Sequence, residues 1–238
     1  MKLSLMVTCL GDVLRPVAAQ ATVRLLRRLG HEVEFREAQT CCGQPFYNSG
    51  YAELACQHAR HTIEVFAGAE TVVVPSGSCA AMVKLEYPHL LHDDARWHAR
   101  AVELAERTFE LSDLLVNRLQ VLDVGARFEG KVAYHFACHL RGLALLSEAE
   151  RLIEHVAGAT LVPLRHQDQC CGFGGSFAVR YPQISTAMVN DKLASIDLAQ
   201  VDALVSTDTG CLMNIGGRLH REARPVRVMH LAELLDSR

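Results

Sequence analysis

The chain has 238 residues, half of them hydrophobic and 21% charged; 24 basic and 27 acidic side chains leave a formal net charge of −3. That is ordinary globular composition, enough for one full core or two smaller ones, and it lacks the basic block that nucleic acid or an anionic membrane would call for. No stretch approaches the ~18 apolar residues of a spanning helix, and the opening MKLSLMVTCLGDVLRP reaches Asp12 and Arg15 too soon for a signal peptide, so a cytoplasmic protein is expected.

In chain order, LSLMVT (3–8) reads as the first strand, and VAAQATVRLLRRLG (17–30) as a helix closed by Gly30 as a C-terminal cap. VEFRE (33–37) and TVVVP (71–75) are the next strands. Further on, KVAYHF (131–136), LVPLR (161–165) and ALVST (203–207) repeat the strand pattern, with helical periods at EAERLIEHVAG (148–158) and YPQISTAMVNDKLASIDLAQ (181–200). Strands alternating with helices predict an α/β protein with mostly parallel sheets flanked by helices.

A shift of 129 residues superimposes Cys41-Cys42-Gly on Cys170-Cys171-Gly and Cys9 on Cys138. TVVVPSGSCAAM (71–82) then resembles ALVSTDTGCLMN (203–214), bringing Cys79 opposite Cys211, and FELSDLLV (109–116) resembles VMHLAELL (228–235). The spacing is Cys-x31-Cys-Cys-x36-Cys, then Cys-x31-Cys-Cys-x39-Cys. Two pseudo-symmetric halves are expected, 1–116 and 131–238, joined by 117–130. The cysteines fall at or just beyond strand ends, the edge where open parallel sheets bind ligands.

Nine cysteines, an odd number with no export signal, argue against a disulfide framework. Cys56 has no counterpart in the repeat and reads as a small buried hydrophobe. The other eight, Cys9, Cys41, Cys42, Cys79, Cys138, Cys170, Cys171 and Cys211, have the pattern of metal ligands. Structural zinc generally uses Cys-x(2–4)-Cys knuckles, absent from both halves, whereas an iron–sulfur cluster offers several irons to neighbouring thiolates. Iron–sulfur is favoured, one cluster per half. A zinc-stabilised scaffold for partner binding and a thiol–disulfide enzyme using the cysteine pairs directly remain alternatives. Gly43, Gly172, Gly174 and Gly175 can turn backbone N–H groups toward a negative cluster. His135 and His139 flank Cys138 and can bond a cluster sulfur or pass a proton. His58 and His61 read as a solvated helix face, and His230 as structural. Arg141, Arg180, Lys192 and Arg218 are candidate partners for a carboxylate or for another subunit. No G-x-G-x-x-G opens a helix after the first strand, so NAD or flavin binding in the Rossmann manner is unsupported.

The segments CCGQP…NSGY, CCGFGGSF, YHFACH, PSGSCAAM, GCLMNIGGRL and RVMHLAELL together resemble the CCG-domain (cysteine-rich domain) iron–sulfur proteins, in particular their lactate-utilization A group, across essentially the whole chain. The resemblance implies a cytosolic iron–sulfur subunit of a complex oxidising L-lactate to pyruvate. Its partners would be companion lactate-utilization proteins, one of them carrying ferredoxin-type clusters. The fullest version of the family pattern ends in Cys-x-x-Cys. Here the first of those cysteines is Ser76 in one half and Asp208 in the other, which leaves four thiolates per half and suits a 4Fe-4S cluster. Asp208 is left as a candidate oxygen ligand or proton carrier and Ser76 as a hydrogen-bond donor. A cluster passes electrons singly while hydroxy-acid oxidation removes two, so an electron-relay subunit is expected rather than a complete dehydrogenase.

Overall fold

The computed structural model describes residues 1–238, the side chain of Leu198 excepted. The first half runs β1 (Lys2–Leu5), α1 (Cys9–Leu14), α2 (Pro16–Arg28), β2 (Glu32–Phe35), α3 (Gln44–Asn48), α4 (Ala52–Val65), β3 (Val72–Val74), α5 (Gly77–Ala81), α6 (Tyr87–Leu90), α7 (Ala95–Glu106), β4 (Thr108–Glu110) and α8 (Leu111–Asp113). The second runs β5 (Arg127–Tyr134), a 3-10 turn (Cys138–Arg141), α9 (Glu148–Glu154), β6 (Ala157–Leu161), α10 (Ser176–Arg180), α11 (Pro182–Ala199), β7 (Ala203–Ser206), α12 (Thr209–Arg221), β8 (Arg227–His230) and α13 (Leu231–Asp236).

Each half builds a four-stranded, wholly parallel sheet, in the orders β2-β1-β3-β4 and β6-β5-β7-β8. The identical order is the repeat seen in three dimensions. Its register is equivalent too: Met6 N–H donates to Val73 O at 2.9 Å, and His135 N–H donates to Val205 O at 2.8 Å. The central strands β3 and β7 are apolar and fully buried, as strands covered on both faces must be.

Three details depart from the expected elements. The edge strand β4 was not among them; TFE is three residues long and carries polar side chains. The strand expected at LVPLR lies earlier, at Ala157–Leu161. Val162 N–H still reaches Val132 O at 2.8 Å, but Pro163 has no N–H with which to extend the ladder. Finally, β5 already begins at Arg127, inside the stretch expected to join the halves.

The halves share a core. Leu25 and Leu26 of α2 join Leu111, Leu114 and Leu115 of the first half and Leu152, Ile153, Leu234 and Leu235 of the second in one buried apolar cluster. Within it α13 lies against α2, and α8 against α9, so the last helix of each half covers the other half. Arg28 reinforces this contact, donating to Asp236 Oδ1 at 2.8 Å and to Leu235 O at 2.7 Å. Fully burying each such leucine contributes roughly 1.5–3 kcal/mol, an upper range because unfolded chains are already partly compact. Two further clusters fill the outer layers, around Ile63, Phe66 and Val83 in the first half and around Val189, Leu193 and Ile215 in the second. Among the described residues no helix is long and apolar enough to cross a membrane.

A candidate metal centre of paired thiols

The loops beyond the carboxyl ends of the two sheets face one another. Between them lies a cavity of about 120 Å³, and all eight repeated cysteines line it. The two sets of four expected to form separate cages therefore share one cleft. Cys9 opens α1 after β1, the Cys41–Cys42 pair follows β2, and Cys79 sits in the first turn of α5 after β3. Cys138, the Cys170–Cys171 pair and Cys211 take the equivalent places after β5, β6 and β7.

Each half holds two thiols deep and two toward the mouth. Cys42, Cys79, Cys171 and Cys211 are buried; Cys9, Cys41, Cys138 and Cys170 are half-buried, and none of the nine cysteines is in a disulfide. The sulfurs pair: Cys9 with Cys41 at 3.6 Å, Cys42 with Cys79 at 3.5 Å, and Cys171 with Cys211 at 3.0 Å. Hydrogen bonds from Cys42 and Cys9 hold the Cys41 thiol down at about 2, and those from Cys138 and Cys171 do the same for Cys170. Their donors go the other way: bonding to Cys41 and burial push Cys9 up, and bonding to Cys170 and burial push Cys138 up. In each set, then, one mouth thiol is the readiest to give up its proton.

The backbone around the pairs needs glycine at two equivalent points. Gly43 (φ +87°) and Gly172 (φ +83°) lie in the left-handed region, and each turns the chain hard against the following long helix. A Cβ would stand 2.9 Å from His58 Cβ in the first half and 2.8 Å from Ser185 O in the second. Gly172 N–H points at Cys170 Sγ, 3.4 Å away. Gly174 and Gly175, also at positive φ, line the cavity wall beside Phe173. Side-chain donors hold the carbonyl of the second cysteine in each pair: the buried Tyr87 OH reaches Cys42 O at 2.8 Å, and the half-buried Asn214 Nδ2 reaches Cys171 O at 2.8 Å. Neither residue stood out in the sequence.

Ser76 and Asp208, which stand where the longer motif has cysteine, are both helix caps. Ser76 Oγ accepts from Cys79 N–H at 3.3 Å and so fixes the turn that carries Cys79. Asp208 Oδ1 accepts from Gly210 N–H at 3.1 Å at the start of α12. Its Oδ2 crosses to the first half, accepting from Ser78 N–H at 3.0 Å and Ser76 Oγ at 3.3 Å. The carboxylate thus ties together the two helices that carry Cys79 and Cys211.

The two flanking histidines differ in kind. His139 lines the cavity; Gln44 Nε2 lies 3.1 Å from Ser78 O and 3.2 Å from His139 Nε2. An amide NH2 satisfying both acceptors leaves the His139 proton on Nδ1, facing Cys138 Sγ at 3.6 Å. His135 is buried behind Cys171 and Cys211. Burial first, and then Lys192, hold its imidazole neutral with a pKa of about 3. His230 caps α13 through Nδ1 and donates from Nε2 to Pro75 O at 3.1 Å, a structural role that again crosses between halves.

Other candidates lie away from the cleft. Cys56 Sγ donates to Leu90 O at 3.4 Å, His58 stacks on Phe46 at 4.9 Å, and His61 reaches Ala38 O at 2.8 Å. Arg141 pairs with Asp168, Arg218 with Glu222, and Arg180 lies over the Tyr181 ring. Lys192 is buried and donates to His166 O and Gln167 O. Among the described residues, none of the cavity lining is an arginine or lysine.

A family model described as "Cysteine-rich domain" (CCG) matches residues 4–84 and 132–216. The chain is 52% identical over 239 residues to lactate utilization protein A of Geobacillus kaustophilus (strain HTA426), covering 100% of both chains. It is 50% identical over 239 residues to lactate utilization protein A of Anoxybacillus flavithermus (strain DSM 21510 / WK1), again covering 100% of both. Among solved structures, a hypothetical protein from Helicobacter pylori shares the fold with a TM-score of 0.69 at 9% identity; the match covers 98% of this chain and 48% of that one. With each half matched separately and the whole length shared with such relatives, the chain belongs to the cysteine-rich (CCG) domain family, in its lactate utilization protein A branch.

Proposed function

We propose that the chain is an iron–sulfur electron-transfer subunit acting in lactate utilization, within a complex that oxidises L-lactate to pyruvate. The observation that carries this reading is the pair of matched four-thiol sets turned into one cleft. Their chemistry fits the group: four thiols per half with free sulfurs, little competing polar lining, and a backbone N–H aimed at Cys170. Cys9, Cys41, Cys42 and Cys79 would hold one 4Fe-4S cluster in the first half; Cys138, Cys170, Cys171 and Cys211 would hold the other in the second half, which opens with β5 at Arg127. Such a group, when bound, takes up and releases electrons one at a time.

The rest of the site serves the thiolates. Ser76 and Asp208 hold the turns carrying Cys79 and Cys211, Tyr87 and Asn214 fix the Cys42 and Cys171 carbonyls, and His139 presents an N–H to Cys138. A hydroxy acid would need a cation for its carboxylate, and the described lining offers none. The two-electron step on lactate is therefore assigned to a companion lactate-utilization subunit in the cytoplasm, with this chain relaying the electrons.

Iron and acid-labile sulfide content, with a visible spectrum, on protein purified without oxygen tests the reading. About eight irons and eight sulfides per chain are expected, and about four would mean that one half alone is loaded. Stoichiometric zinc in a colourless protein would replace the relay with a scaffold. Failure to take up either metal after anaerobic reconstitution would move the chemistry to the paired thiols.

A further inference from the structure

The two halves are equivalent in strand order and cysteine placement but not behind the cysteines. His135 and Met6 occupy the same point of the repeat, one residue beyond the strand, with matching N–H bonds to Val205 O and Val73 O. Met6 is a buried thioether packed among apolar neighbours. His135 is 1% exposed, and neither Nδ1 nor Nε2 has a hydrogen-bond partner. A buried polar atom left unpaired is costly, so an imidazole with two such atoms calls for a ligand. A ring nitrogen of His135 and the sulfurs of Cys171 and Cys211 all lie within 4.8 Å of one another, a spacing that can converge on one ion.

We propose that His135 is a metal ligand: its imidazole nitrogen joins Cys171 and Cys211 on the metal group of the second half, giving that half a mixed nitrogen–sulfur donor set where the first half has sulfur alone. The proposal rests on the metal-binding reading above and adds an inequivalence that the repeated cysteines do not contain. An extra nitrogen donor in the second half makes the two groups electronically inequivalent, so they differ in reduction potential.

The test is pulsed electron paramagnetic resonance on the iron-loaded full chain, made with ¹⁴N- or ¹⁵N-histidine and poised so that each group in turn is paramagnetic. A directly bound histidine nitrogen is expected on one of the two species and should change with the isotope. It should vanish in His135→Met, which copies the first half, and persist in His139→Asn. His135→Met should also shift one potential and leave the other in place. Iron-loaded protein without such a coupling, or a coupling that survives His135→Met, would overturn the proposal; the measurement on the labelled natural sequence decides even if the variant fails to fold. If no iron is taken up, the electron-relay reading falls by itself, and cobalt(II) alone is titrated into the full chain. Thiolate charge-transfer bands that differ between the natural sequence and His135→Met would still support the nitrogen ligand, and identical bands would refute it.

Discussion

Glu110 offers a direct thermodynamic test of the packing between the halves. It closes β4 and caps α8, with Oε2 accepting from Ser112 N–H at 2.7 Å, from the Ser112 hydroxyl, and from Asp113 N–H at 3.4 Å. Oε1 has no partner and the residue is fully buried. Burial outweighs the hydrogen bonds and raises the carboxyl from 4.5 to about 7. Between those values the folded protein carries a proton that the unfolded chain has released. The associated stability is complete below about 4.5 and is lost as pH rises through about 7. A pKa rise of that size is worth roughly 3 kcal/mol, most of which falls between pH 5 and 8. Glu110→Gln keeps the acceptor for Ser112 and removes the titration. Urea denaturation of both proteins at pH 5, 6, 7 and 8, equally metal-loaded, should give natural-minus-variant differences that fall by that amount with rising pH. In melting temperature the change is roughly 5–12 °C for a chain of this size. Differences that do not vary with pH would show that this carboxyl is ordinary and refute the argument.

Gly172→Ala adds left-handed strain of about 1–2 kcal/mol and a contact with Ser185 O, so the melting temperature should drop and iron binding in the second half should weaken. Asp208→Ala removes one helix cap and orphans Ser78 N–H, for a loss of roughly 2–4 kcal/mol in urea denaturation, whereas Asp208→Asn should recover much of it. Cys171→Ser should lower bound iron by about half, and Cys56→Ser should leave it unchanged; equal losses would detach the repeat from metal binding. Metal-stripped protein should melt well below the loaded form in calorimetry, because a ligand that binds only the folded state stabilises it.

The strands legible in the sequence were those whose side chains are apolar for a physical reason. VVV and ALVS are buried on both faces, so their hydrophobic runs are continuous. The edge strand TFE is only three residues long and buries a threonine and a glutamate, and AGATL is half solvated, so hydrophobicity marks them weakly. The eight cysteines that line the cavity were legible because thiols are chemically distinctive and the chain spells them twice at one spacing. That both sets would line a single cleft was not legible, since the orientation of the halves is set by leucines on α2, α8, α9 and α13 that look like any amphipathic helix. Tyr87, Asn214 and the cross-half reach of Asp208 act through geometry that residue type alone does not announce.

The exchange of terminal helices has a mechanical consequence. A duplicated protein whose copies touch only across a cleft would behave as a clamshell, its jaws free to swing on the connecting segment. Here α13 lies on the opposite copy and α8 does so in return, so swinging would peel buried leucines out of a common core. Cutting the chain near residue 120 should accordingly yield two pieces that are sticky alone and fold by finding each other. The distance between the two thiol sets is therefore a built dimension of the molecule, held by apolar cement rather than by the length of a tether.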